Sequence, residues 1–183
     1  MGVEIERRFL VDGRGDKPWR KMEHFEISQY YLSGVIHNDG NIIWKGRVLV
    51  EDGRDITNIT TWRIRYMKMK DGVKGVLTAK GTKVGATATE YEWDLPAGLC
   101  DSLNFEGLPT ITKTRYLWPG NDGLVWEIDE FKGNISGLII AEVELESEDQ
   151  DVELPSWAGL ELTHLRGWSN ASLSRMVKDA EQN

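Results

Sequence analysis

Charged side chains recur at every second position along this chain. E-I-E-R-R opens it with Glu4, Glu6 and Arg8, and E-V-E-L-E near the far end repeats the spacing with Glu142, Glu144 and Glu146. Residues two apart in an extended strand share a face. Each run therefore lines one surface with charge, while Ile5, Val143 and Leu145 point the other way. The same period of two, not 3.6, marks eight segments: 3–11, 26–33, 59–69, 75–82, 88–95, 111–118, 124–131 and 138–147. Turn sequences such as Asp71-Gly72 and Gly120-Asn121-Asp122-Gly123 separate several of them. Many short strands joined by such turns favour a barrel or sandwich over α/β winding.

The parity holds from strand to strand. Arg63 and Arg65 oppose Trp62, Ile64 and Tyr66, and Lys80 opposes Leu77 and Ala79. Glu90 and Glu92 oppose Tyr91 and Trp93, Lys113 and Arg115 oppose Thr114 and Tyr116, and Glu127 and Asp129 oppose Trp126 and Ile128. One reading is a half-buried antiparallel sheet whose charged face meets water. The other is a closed barrel with the charge inside. Two features favour the barrel. The charges are little diluted by Ser, Thr or Gln, and their signs segregate: acid on the fifth, seventh and eighth segments, base on the third, fourth and sixth, both on the first. Crowded carboxylates suit a hard divalent cation such as Mg²⁺. Clustered Arg and Lys suit phosphate. An eight-stranded barrel leaves room for its side chains and one small ligand, so this lining would make a charged tunnel for a metal–polyphosphate complex.

The remaining sequence sets bounds on that picture. At 183 residues the expectation is one domain, 1–183, with a substantial core. A net charge of −8 argues against a broad nucleic-acid surface. The longest apolar runs, such as 137–141, are too short to span a bilayer as a helix. A lone cysteine, Cys100, excludes an internal disulfide, and no charged-then-apolar leader stands at the start, so a reducing cytoplasm is expected. Eight tryptophans suggest packing beneath a large sheet. Short helices are expected over 17–25 and 97–104. A C-terminal helix, 169–182, is capped by Ser169 or Asn170, with Leu173 and Met176 or Val177 facing the body. The stretch 35–58 reads as an insertion, with an extra hairpin over 41–50 and a turn at 51–54.

Taken in order, these segments resemble the CYTH superfamily, the triphosphate tunnel metalloenzymes. Glu4-Ile5-Glu6-Arg7-Arg8-Phe9 is similar to its N-terminal ExExK signature, Gln29-Tyr30-Tyr31-Leu32 to its Q-x-Y-L strand and Arg63-Ile64-Arg65 to its R-x-R. Leu77-Thr78-Ala79-Lys80-Gly81 resembles the lysine strand and Glu90-Tyr91-Glu92 an E-x-E. Lys113-Thr114-Arg115-Tyr116 resembles K-x-R-Y, Glu127-Ile128-Asp129 the aspartate strand and Glu142-Val143-Glu144 the closing E-x-E. The wording is nearest to the bacterial inorganic tripolyphosphatases.

The resemblance implies a mainly β fold: a closed eight-stranded antiparallel barrel tunnel with short flanking helices. It implies divalent-metal-dependent hydrolysis of a small-molecule triphosphate, inorganic tripolyphosphate first, with Mg²⁺ or Mn²⁺. Arg8, Arg63, Arg65, Lys80, Lys113 and Arg115 would hold the triphosphate. Glu4, Glu6, Glu142 and Glu144, with Asp129 and Glu146 behind them, would hold metal. Glu90 and Glu92, with Arg8, would serve catalysis. Other readings of the same lining are a class IV-type adenylate cyclase, a thiamine triphosphatase, or a non-catalytic polyphosphate- or nucleotide-binding module. The chain departs from the family pattern in three places. Arg8 replaces the signature lysine, 35–58 is extra, and Leu165-Arg166-Gly167-Trp168-Ser169-Asn170 stands where many relatives read D-x-R-Y-x-N.

Overall fold

The charged faces turn inward. In the computed structural model, which describes residues 2–182, the chain forms β1 (Gly2–Val11), β2 (His24–Leu32), β3 (Ile36–Asn38), β4 (Asn41–Trp44), β5 (Arg47–Glu51) and β6 (Ile59–Met69). Then come β7 (Gly72–Gly81), β8 (Thr87–Leu95), α1 (Ala97–Asp101), β9 (Thr110–Pro119), β10 (Val125–Phe131), β11 (Ile139–Glu144), β12 (Ala158–Glu161) and α2 (Asn170–Glu181). Eight of these strands pair antiparallel in the order β1-β8-β7-β6-β2-β9-β10-β11, and β11 returns to β1 to close an eight-stranded barrel. The closing seam sets Glu6 opposite Glu144 and Arg8 opposite Glu142.

Because polar groups fill the interior, the apolar faces must be buried from outside. The three-stranded sheet β3–β5 and α1 do this for β6, β7 and β8: Ile42, Trp44 and Leu49 pack with Ile64, Leu77, Tyr91 and Leu95. On the opposite side Trp19 and Trp157 cover Phe9, Trp126, Ile128, Ala141 and Val143 of β1, β10 and β11. A third apolar group, Tyr31, Ile111, Phe131, Ile140, Leu162 and Leu173, stoppers one end of the barrel where α2 docks. β12 extends the wall at the C-terminal end of β1. Its Gly159 is required there, since a Cβ would lie 2.4 Å from the Leu10 carbonyl oxygen.

Several expectations need correction. The helix foreseen over 17–25 is a single 3-10 turn, Pro18–Lys21, because Phe25 is already extended in β2 opposite Arg115. The insertion carries three strands, with its tight hairpin at Lys45-Gly46. α1 ends at Asp101, and β11 ends at Glu144 rather than 147. Ser169 does cap α2, accepting from the Ser172 N–H, and Leu173 is buried. Met176 points to solvent at 58% exposure, so the half-buried Val177 is the second inward residue.

Candidate active site

The strand order turns the segregation of charge into geometry. β10, β11, β1 and β8 are contiguous around the barrel, and they carry Glu127, Glu142, Glu144, Glu4, Glu6, Glu90 and Glu92. Facing them, β7, β6 and β9 carry Lys80, Arg63, Arg65 and Arg115, with Gln29 and Tyr31 of β2 between. These side chains line one cavity of about 650 Å³. The solvent-facing sheet considered from the sequence is therefore excluded: Arg8, Arg63, Arg115 and Glu142 are all buried.

Ion pairs cross this interior. Lys80 bonds Glu4 and lies 2.8 Å from Glu90, and Lys83 reaches Glu6 at 3.0 Å. Arg8 pairs with Glu142, whose other oxygen is 3.4 Å from Arg115. Burial pushes Glu142 up, but Arg8, Arg115 and Lys113 outweigh it and hold the carboxyl far below its ordinary range. Arg65 donates to Glu92 at 2.9 Å, and Thr78 Oγ1 donates to the same oxygen at 3.1 Å. Burial and the neighbouring Arg63 and Arg115 push the Arg65 guanidinium below its usual value. Arg63 makes no ion pair among the described residues, and its Nε is buried without a partner. Its charge is favoured instead at longer range, by Tyr31, Glu90 and Glu4.

Carboxylates outnumber cations along the cavity, seven to six. Burial pushes Glu90 up to about 8, with Glu4 beside it, against the pull of Lys80. Burial acts on Glu4 as well, but Lys80 and the hydrogen bond shared with Glu90 hold it low, so this pair retains one proton between them. Glu144 is pushed up by burial and by Glu4 and Glu6. An all-carboxylate donor set with surplus negative charge fits a hard divalent cation. Among the described residues no three such groups converge as they stand; Lys80 bridges Glu4 and Glu90, and Lys83 is paired with Glu6.

Most of the residues singled out from the sequence meet at this cavity: Glu4, Glu6, Arg8, Arg63, Arg65, Lys80, Glu90, Glu92, Arg115, Glu142 and Glu144. Three lie away from its wall. Lys113 and Asp129 are fully buried against each other, with Arg115 clamping Asp129 at 2.7 and 2.8 Å. Glu146 is past the end of β11, where its N–H donates to Gln150 at 2.6 Å. Conversely, Gln29, Tyr31, Lys83, Trp168 and Asn170 line the cavity without having been assigned to it. Gln29 and Tyr31 were within reach, since they share a face in the Q-x-Y-L strand.

Comparison with known proteins agrees with this architecture. A CYTH domain matches residues 52–176, and the chain belongs to the CYTH family. Within it, the chain is 34% identical over 176 residues to an inorganic triphosphatase of Acetivibrio thermocellus, covering 94% of each. It is 34% identical over 116 residues to an inorganic triphosphatase of Nitrosomonas europaea, covering 59% of this chain and 73% of the relative. The crystal structure of an inorganic triphosphatase aligns with it at a TM-score of 0.57 and 28% identity, over 95% of both chains.

Proposed function

We propose that this protein is an inorganic triphosphatase that hydrolyses tripolyphosphate inside the barrel, supported by Mg²⁺ or Mn²⁺. The observation that carries it is the contiguous basic wall facing a contiguous carboxylate wall across one cavity. Arg63, Arg65, Lys80 and Arg115 bind the phosphate oxygens: Arg63 offers paired N–H donors, while Arg115, whose donors are engaged by Asp129, Glu127 and Glu142, contributes chiefly its charge. Glu4, Glu6 and Glu144 would hold the metal, with Glu142 beside them tied to Arg8. When bound, the ion would neutralise phosphate charge and polarise the bond to be cleaved.

The chain's own residues account for the rest of the reaction. Water attacks the terminal phosphorus atom, the phosphoanhydride P–O bond breaks, and pyrophosphate leaves while the attacked group is released as phosphate. Glu92, fixed by Arg65 and Thr78, accepts a hydrogen bond from that water, and Glu90 takes up the proton it loses once its own carboxyl is ionised. The arginines stabilise charge as it builds on the leaving oxygen.

A phosphate-release panel tests the reading: tripolyphosphate, ATP and thiamine triphosphate, each with Mg²⁺, Mn²⁺ or EDTA. Metal-dependent release, fastest from tripolyphosphate, is expected. Turnover in EDTA, or none on any triphosphate, defeats it, and cyclic AMP formed from ATP would replace it with a cyclase.

A further inference from the structure

We propose that the first turn of α2 is a subsite for the terminal phosphoryl group of the triphosphate, with the Asn170 carboxamide as its selective element. The proposal deepens the triphosphatase reading and rests on it. Ser169, Asn170 and Ala171 face the cavity from its stoppered end. The cap is complete on one side: Ser169 Oγ accepts from Ser172 N–H at 3.1 Å, and the Leu173 N–H bonds the Ser169 carbonyl at 2.9 Å. The Asn170 and Ala171 N–H groups have no acceptor within the helix, as geometry requires of a first turn. They sit at the positive end of the helix dipole, where anions are favoured.

A second observation is independent of the helix. Asn170 is only 7% exposed, and its side-chain carbonyl oxygen is buried with no hydrogen-bond partner among the described residues. Such a group is costly unless something fills its hydrogen-bonding capacity. The chain braces this turn deliberately. Arg8 donates to the Trp168 carbonyl at 2.9 Å, its N–H to Thr163 Oγ1 at 3.0 Å, and its carbonyl accepts from the Leu162 N–H at 2.7 Å. Arg8 and Arg115 also take up the charge of Glu142, so that carboxylate does not repel an anion placed here.

The carboxamide selects an end rather than a middle. Its NH₂ donates to a phosphoryl oxygen, and its oxygen accepts a P–O–H proton. A terminal phosphoryl group near neutral pH offers both partners. An internal phosphoryl group has only one acidic oxygen, ionised far below that pH, and offers no proton.

The test is binding without catalysis: calorimetric titration of tripolyphosphate in EDTA, for wild type, Asn170→Asp and Asn170→Ala. The aspartate substitution is expected to weaken binding by roughly tenfold or more. The melting temperature should hold or rise, because an acidic residue in a first helical turn is favourable. Asn170→Ala should weaken tripolyphosphate but shift cyclic trimetaphosphate, which has no terminal group, by less than about twofold. Equal weakening of both phosphates overturns the end selection. If both variants bind tripolyphosphate like wild type while wild type hydrolyses it, the subsite falls and the triphosphatase reading stands. Wild type that binds through Asn170 but releases no phosphate keeps the subsite and sinks the hydrolase. Wild type that binds no triphosphate in EDTA overturns the subsite, while the phosphate-release panel with metal decides the hydrolase separately.

Discussion

Arg8 lies directly opposite Glu142 across the β1–β11 seam and closes an ion pair on it, while its second terminal nitrogen donates to the Trp168 carbonyl at 2.9 Å. One guanidinium thereby ties the two strands that close the barrel to the segment that stoppers it. A lysine ammonium, a point charge without the planar fork, would serve one of these partners well and not both.

Arg8→Lys should therefore loosen the C-terminal segment. The loss of one charge-assisted bond costs about 2 kcal/mol, which for a chain of this size lowers the melting temperature by roughly 4–8 °C. Amide hydrogen exchange over 162–173 should quicken. Unchanged exchange there would mean that Arg8 does not brace the segment.

Arg63 is buried and makes no ion pair among the described residues; burial and Arg115 work against its charge, but Tyr31, Glu90 and Glu4 outweigh them and hold the guanidinium above its usual value. Arg63→Gln should lower the melting temperature modestly, since those favourable interactions are lost, while weakening tripolyphosphate binding by about 10–100-fold. A variant that melts much earlier and binds normally would identify Arg63 as structural.

Glu90 gives a pH signature in EDTA. Its folded value, about 8, lies above its ordinary 4.5. Its stabilising contribution is thus complete below about pH 4.5 and drains away as pH rises through about 8, because the folded state holds a proton that the unfolded chain releases. Glu90→Gln should melt several degrees higher than wild type near pH 9 and show no gain near pH 4. A pH-independent difference would reject the raised carboxyl.

Lys113 and Asp129 are paired and fully buried, so Lys113 should support the wall behind Arg115 rather than touch substrate. Lys113→Met is expected to cost about 3 kcal/mol of stability, and tripolyphosphate affinity of the folded protein should change less than about threefold. A large loss of affinity without destabilisation would return Lys113 to the binding set.

The barrel strands were legible because charge and apolar side chains alternate without interruption: Ile59–Met69 matches its expected bounds at both ends. Segregation of charge along the sequence became two walls because closure makes β1, β8, β10 and β11 contiguous. Depth along the barrel axis was not legible. Parity puts Lys113 and Arg115 on one face, but only packing shows that Lys113 is enclosed with Asp129 and Phe131 while Arg115 reaches the cavity. Lys83, Trp168 and Asn170 were missed for another reason. They arrive from loops and a helix end, where no period announces which way a side chain points. The 3-10 turn at Pro18–Lys21 was overread as a helix because Trp19 is buried by tertiary contact with Trp157, not by a helical stripe.

The β1–β11 seam also governs when the interior comes into being. Arg8 and Glu142 are 134 positions apart in the chain, so the last wall of the barrel waits on one of its longest-range contacts. Pairings this distant form slowly, since loop-closure entropy must be met before any contact rewards it. Until then β1 and β11 are open edges, exposed to pairing with other chains. Glu4, Glu6 and Arg8 on β1 and Glu142 and Glu144 on β11 make such pairing unfavourable, so the charges proposed to bind substrate and metal in the finished barrel would act, in the unfinished one, as its protection against aggregation.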